Sequence, residues 1–221
     1  MLMYLYWTKC CVLFNIWTNF LIVRKVKGYR QKMEKEDLRI RYTRMILRNS
    51  LIELMKDRPV SKIGIEEICA LAGVSRSTFY THYENVHNLL EQIEEETFVY
   101  FEGVVTQHAF LIKSSNKEKT LMFQKILQYI TDNSSSIQVL LSENGDINFQ
   151  EKFFQKFITH AQNILRSNSD NPSLGHIYEG YSVFIVRGAI GLVQYWLKNN
   201  MHIPVSEMAK MLIKLTTEPK V

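Results

Sequence analysis

Apolar residues recur along this chain at intervals of three and four, the period of helices that bury one side. Between Asp37 and Met55 the positions Ile40, Leu47, Leu51 and Leu54 follow that spacing, with Met45, Ile46 and Ile52 widening the stripe. Asp57-Arg58-Pro59 ends it, because proline has no amide hydrogen with which to continue the ladder. A short helix is expected from Ile65 to Leu71, burying Ile65, Ile68, Cys69 and Ala72, and Gly73 stands where a left-handed C-cap is needed. Ser75 is placed to cap a third helix, held at a fixed angle by Val74 and Phe79, and Tyr83 joins Phe79 as a core aromatic. A long helix should run from Asn85 to Phe110 or Ser114. Its apolar side holds Leu89 or Leu90, Ile93, Thr97, Phe101, Val104, Val105 and His108, and Glu91, Glu94, Glu95 and Glu96 keep its first half wet.

Beyond Ser114-Ser115-Asn116-Lys117, residues 118–130 carry Leu121, Met122, Ile126, Leu127 and Ile130 at helical spacing, and a short helix follows around Ile137 to Leu141. Asn144-Gly145-Asp146 is a turn. Phe149, Phe153, Phe154, Phe157, Ile158, Ala161 and Leu165 then stripe a helix from Asn148 to Arg166. Ile177 to Leu197 is apolar around most of its circumference and contains Gly180, Gly188 and Gly191, so packing must cover it on several sides. Pro204-Val205-Ser206 opens a last helix with Met208, Leu212, Ile213 and Leu215 inward. The last two helices are expected to form a dimer interface as a four-helix bundle, through Ile177, Tyr181, Phe184, Gly188, Gly191, Leu192, Tyr195, Trp196, Met208 and Leu212. No alternating strand pattern of useful length occurs, so the fold class is all-α: a three-helix helix-turn-helix unit over residues 33–84 and a larger helical regulatory and dimerisation domain over 85–221.

Composition changes this picture mainly at the start of the chain. Residues 1–32 combine the apolar run Cys10 to Val23 with Arg24, Lys25, Lys27, Arg30 and Lys32. Three readings stay open: a misassigned start or dispensable tail, with Met33 opening the working chain; a short anchor with positive charges on its cytoplasmic side; or an extra packed helix. The formal charge of the whole is +5, and removing the six basic residues of that segment leaves 5 − 6 = −1. Nucleic-acid binding must therefore come from local arrangement rather than net charge. Three cysteines, Cys10, Cys11 and Cys69, make neither a disulfide framework nor a spaced metal set, which suits a reducing, cytoplasmic setting.

The chemistry lies in Ile63 to Tyr83, IGIEEICALAGVSRSTFYTHY. Two short helices joined by a tight turn present the second helix's N-terminal residues to the major groove. Arg76 is the candidate for a base edge, with Ser77 and Thr78 at close range. Tyr80 and His82 suit phosphate or sugar oxygens, His82 alternatively capping its own helix. Arg44, Arg48, Lys62 and the Ser75 cap flank this edge, and Asn85 at the next helix's start offers one more phosphate site.

These residues carry a resemblance. Across Arg39 to Leu90, including Ile65-x-x-Ile68-x-x-x-Ala72-Gly73-Val74-Ser75-x-x-Thr78-Phe79-Tyr80-x-His82-Tyr83 and Leu89, the chain resembles TetR/AcrR-type transcriptional regulators. The resemblance implies backbone contacts from Thr78, Tyr80 and His82, sequence reading by Arg76 and Ser77, and a C-terminal domain that dimerises around an effector site. It implies palindromic double-stranded operator DNA and a second copy of the chain as partners, a small-molecule effector, repression as the commoner mode, and no cofactor. Two positions depart from the family pattern: Val86 replaces a phosphate-contacting lysine, and Gly64 replaces a capping threonine.

Candidate effector residues are Phe101, His108, Met122, Phe123, Phe153, Phe157 and Tyr178, drawn from an aromatic-rich middle region with few acidic residues on inward faces. No metal-spaced cluster, phosphate loop or nucleophile elbow occurs, so neither an enzyme nor a metal site is expected, and a membrane partner is not expected either. Two other functions remain: a protein-interaction or membrane-associated adaptor that has lost operator binding, and a DNA-binding regulator without an effector.

Overall fold

The computed structural model describes residues 38–109, 116–167 and 175–217. Its helices are α1 (Leu38–Met55), α2 (Ile65–Ala72), α3 (Arg76–His82), α4 (Val86–Ala109), α5 (Asn116–Asp132), α6 (Ser134–Leu140), α7 (Ile147–Ser167), α8 (Gly175–Lys198) and α9 (Val205–Thr217), with a 3-10 turn at Val60–Lys62. No strand occurs among the described residues, and the fold is all-α, with a helix-turn-helix unit ahead of a larger helical part. Residues 1–32, the positions from Phe110 to Ser114 where the long helix is expected to end, and the expected loop around Pro172 lie outside the described residues.

Leu47, Leu51, Ile52 and Met55 of α1, Ile68 and Cys69 of α2, Phe79 and Tyr83 enclose a small core, closed from α4 by Val86, Leu89, Leu90 and Ile93. The same apolar cluster continues through Phe101, Leu127, Phe153 and Trp196 to Met208 and Leu212. Helix α4 therefore belongs to both parts: its first turns close the small unit against α1, and its later turns pack on α5 and α7. Because α4 is covered on two sides, Leu90, Glu94, Thr97 and Phe101, at helical spacing, form one buried stripe. Glu94, expected on the wet side, is thus an interior residue.

Other expectations also need revision. Ile40 and Met45 are exposed, because the buried face of α1 begins only at Leu47, where α2 and α4 cover it. Leu121 and Leu215 are about half exposed, on the outer sides of α5 and α9. Polar side chains fasten the connections: Asn144 Nδ2 donates to the Lys56 carbonyl at 3.1 Å, tying the α6–α7 turn to the end of α1. Gln194 Nε2 donates to the Leu141 carbonyl at 2.7 Å, tying α8 to the end of α6.

Candidate nucleic-acid interface

The turn between α2 and α3 is built as its sequence dictates. Gly73 takes φ 68° and ψ 31°, the left-handed region where a side chain would be strained. The Val74 amide then donates back to the Cys69 carbonyl at 3.0 Å, satisfying one of the carbonyls that α2 leaves open. Ser75 Oγ accepts the Thr78 amide at 3.1 Å and so caps α3. Cys69 is buried beneath the turn, its thiol 3.8 Å from the Ser75 carbonyl. Phe79, fully buried, and Tyr83 anchor the inner side of α3, their rings 5.7 Å apart. At the start of α2 the missing threonine is partly replaced, because the Gly64 amide donates to Glu67 Oε2 at 3.2 Å.

The outer edge of α3 is left to solvent: Arg76, Ser77 and Tyr80 are exposed, Thr78 and His82 half-buried. Its groups are already engaged. Arg76 Nη1 donates to Glu66 Oε1 of α2 at 2.6 Å. Ser75 Oγ lies 2.8 Å from Ser77 Oγ and 2.9 Å from Thr78 Oγ1, so three hydroxyls share one local network. Tyr80 stands out at 54% exposure, edge-on to Phe79. Lys62 is exposed just before α2, and Asn85 uses its Oδ1 to accept the Asn88 amide at 2.8 Å, capping α4. Val86 is buried in the first turn of α4, so the position that departs from the family lysine serves the core here.

Arg44 and Arg48 are not gathered on that edge. Arg44 Nη2 donates to Gln92 Oε1 at 2.7 Å, and Arg48 pairs with Glu96, both half-buried along the seam between α1 and α4. Arg48 is matched by the Glu96 carboxylate and Arg44 meets a neutral amide, so both side chains lie along this seam rather than on the exposed edge of α3. Single-sequence reading gave no signal for the pairing, because Gln92 and Glu96 follow 48 residues later.

In the larger part, Phe101 meets Tyr129 and Phe153 edge-on at 5.4 Å, and Phe153 lies 4.6 Å from Phe157. Phe101 and Phe153 are buried, whereas Phe157, Met122, Phe123 and Tyr178 are half-buried. The side chain of His108 lies outside what is described. Glu94 stands apart from all of these. It is nine-tenths buried, and its Oε1 has no hydrogen-bond partner among the described residues. Burial, then the carboxylates of Asp146 and Glu91, push its carboxyl up to about 7, with Lys152 opposing them. Sequence reading missed it, although its spacing from Leu90 and Phe101 already places it on the buried stripe.

The dimer candidates divide. Ile177, Phe184, Gly188, Gly191 and Tyr195 are exposed along α8, and Tyr181 and Leu192 are half-buried. Trp196, Met208 and Leu212, by contrast, lie in this chain's own core. The Trp196 indole N–H donates to the Ile203 carbonyl at 2.8 Å, inside the turn to α9.

A model of the TetR-type transcriptional regulator C-terminal region matches residues 117–218. The uncharacterized HTH-type transcriptional regulator YxbF of Bacillus subtilis is 21% identical over 196 residues, covering 88% of this chain and 50% of that protein. The chain thus spans about half the length of the curated relative it matches. Among solved structures, a TetR transcriptional regulator from Streptococcus agalactiae superposes with a TM-score of 0.53 at 24% identity, over 81% of this chain and 96% of that one. The regulator FadR of B. subtilis, solved with stearoyl-CoA, does so at 0.54 with 13% identity, over 79% and 97%. Fold and turn define a helix-turn-helix unit joined to a larger helical part. Residues 117–218 match the C-terminal region of TetR-type transcriptional regulators, and the chain as a whole has the fold of such proteins. No described helix is long and apolar enough to cross a membrane, and no group of three or more His, Cys, Asp or Glu among the described residues is arranged to hold a metal ion.

Proposed function

We propose that the chain binds operator DNA as a homodimer, through the outer edge of α3, and represses transcription until an effector releases it. The observation that carries this reading is the exposed edge of α3, held on a capped turn whose inner side is locked by Phe79. Arg76 would read a base edge, most favourably guanine O6 and N7. Tyr80 and His82, with Lys62 and the amides at the start of α4, would meet backbone oxygens, which position without specifying. Ser75, Ser77 and Thr78 would reorganise their hydroxyl network as they engage.

The dimer would form through the exposed stripe of α8, Phe184, Gly188, Gly191 and Tyr195, whose small residues allow a second helix to approach closely. A symmetric pair must set its two reading helices one duplex turn apart, about 34–36 Å, which makes a palindromic site the natural target. Helix α4, shared by both parts, is the lever. An effector acts on it only through unequal affinity for the competent and splayed forms. The aromatic group of Phe101, Phe153 and Phe157 is the place for that selection, and FadR, of the same fold, is solved with an acyl-CoA. Cytoplasmic placement and the absence of catalysis follow from this role.

The test is a mobility-shift series on promoter duplexes flanking the gene, with wild type, Arg76→Ala and Tyr80→Ala. Loss of at least tenfold in specific affinity for both variants is expected. Tight binding indifferent to both changes, or a wild type that ignores every duplex at low salt, overturns the reading in favour of an interaction adaptor.

A further inference from the structure

The ion pair across the turn bears on how such a regulator would choose its site. Arg76, the first residue of α3, is more than half exposed, and so is Glu66, in the first turn of α2. Their side chains nonetheless meet at 2.6 Å between Nη1 and Oε1. Glu67, beside Glu66, does something different, accepting both the Gly64 amide and Arg58 Nη2. The start of α2 thus carries two carboxylates, one used for capping and one extended over the reading edge.

We propose that Glu66 is a specificity residue, a carboxylate that holds the Arg76 guanidinium until a base edge displaces it, and so separates guanine contacts from phosphate contacts. This rests on the DNA-binding reading above. Non-specific attraction comes from neutralising phosphates and grows with each free cation on the protein's face. A guanidinium already paired adds little to that attraction. An exposed ion pair is weak, however, so a fixed two-acceptor partner can replace the carboxylate. Guanine presents O6 and N7 in the geometry that a guanidinium fork matches; a phosphate can accept the same fork, but its negative charge is repelled by the Glu66 carboxylate beside Arg76, whereas the neutral guanine edge is not. Glu66 also places negative charge near the duplex wherever Arg76 finds no such partner. Wrong sites are then penalised more than right ones.

The experiment measures affinity for a promoter duplex and for a scrambled duplex across a salt series, using full-length wild type, Glu66→Gln, Arg76→Ala and the double variant. Glu66→Gln should bind the scrambled duplex about two- to tenfold more tightly, with a steeper salt dependence, and should gain less on the promoter, so its specificity ratio falls. In the Arg76→Ala background the same change should leave that ratio unmoved. An unchanged ratio in Glu66→Gln overturns the proposal. So does selective loss of promoter binding, which would make Glu66 a base reader itself. A wild type that binds no duplex is a different failure, because it removes the DNA-binding reading before Glu66 is put to the test.

Discussion

The turn between α2 and α3 and the helix α8 bury apolar residues by different means. In the turn, the backbone answers to neighbours within a few residues, Gly73 to its own φ and Ser75 to the Thr78 amide, and Phe79 alone of the three reaches back to the core shared with α1 and α2. In α8 the apolar residues run around the helix, and which of them face inward depends on α6, α7 and α9. Trp196 is enclosed while Phe184, three turns earlier, is 72% exposed. Short-range rules fix the reading unit. Long-range partners decide the fate of α8.

Truncating one aromatic in each region gives the largest contrast. Phe79→Ala removes a fully buried ring from a small core and should cost about 3–5 kcal/mol, read as a lowered denaturant midpoint. Phe184→Ala should leave the folded chain's stability nearly unchanged and instead shift the proposed dimer toward monomer in sedimentation. A Phe184 variant as destabilised as the Phe79 variant would mean that α8 is covered by its own chain after all.

Glu94 tests the stretch of α4 that connects the two regions. Its folded carboxyl titrates near 7, above the ordinary value of 4.5. The folded protein therefore holds this proton more tightly than the unfolded chain does. That contribution is complete below pH 4.5 and is lost as pH rises through 7. Glu94→Gln, permanently neutral, should be more stable than wild type by about 3 kcal/mol at pH 8 and nearly equal to it at pH 4. Parallel pH profiles for the two proteins would show that the carboxylate is solvated rather than enclosed.

How much could be read from the sequence follows the same division. The element order, the Gly73 cap, the Ser75 cap and the Phe79 anchor were legible because each is a local requirement with few alternative residues. Glu94 is a charged residue type that suggests a wet face, and only its spacing from Leu90 and Phe101, which bracket it on one face, points inward. Nothing in the neighbourhood of Arg44 and Arg48 reveals Gln92 and Glu96 across the seam, so these contacts between helices are not legible in the sequence. The place of Trp196, Met208 and Leu212 in the chain's own core is not legible, because a helix apolar on most sides does not state which side its own chain covers.

The smallest effects come from making the same glycine-to-alanine change in both regions. At Gly73 an added methyl would meet no atom within 4 Å, so the whole penalty is the left-handed backbone, about 1–2 kcal/mol. At Gly188 the space within the single chain is equally open, but the residue is helical and exposed. Alanine there should stabilise α8 by up to about 1 kcal/mol. The two substitutions thus have opposite signs for reasons visible in the backbone alone. Gly188→Ala should also weaken self-association, since a methyl at a close helix crossing forces the partner outward. Thermal unfolding of dilute protein and sedimentation of concentrated protein separate these contributions. If Gly188→Ala raises the melting temperature and leaves the dimer intact, the crossing lies elsewhere on α8, and Phe184 and Tyr195 need a different neighbour.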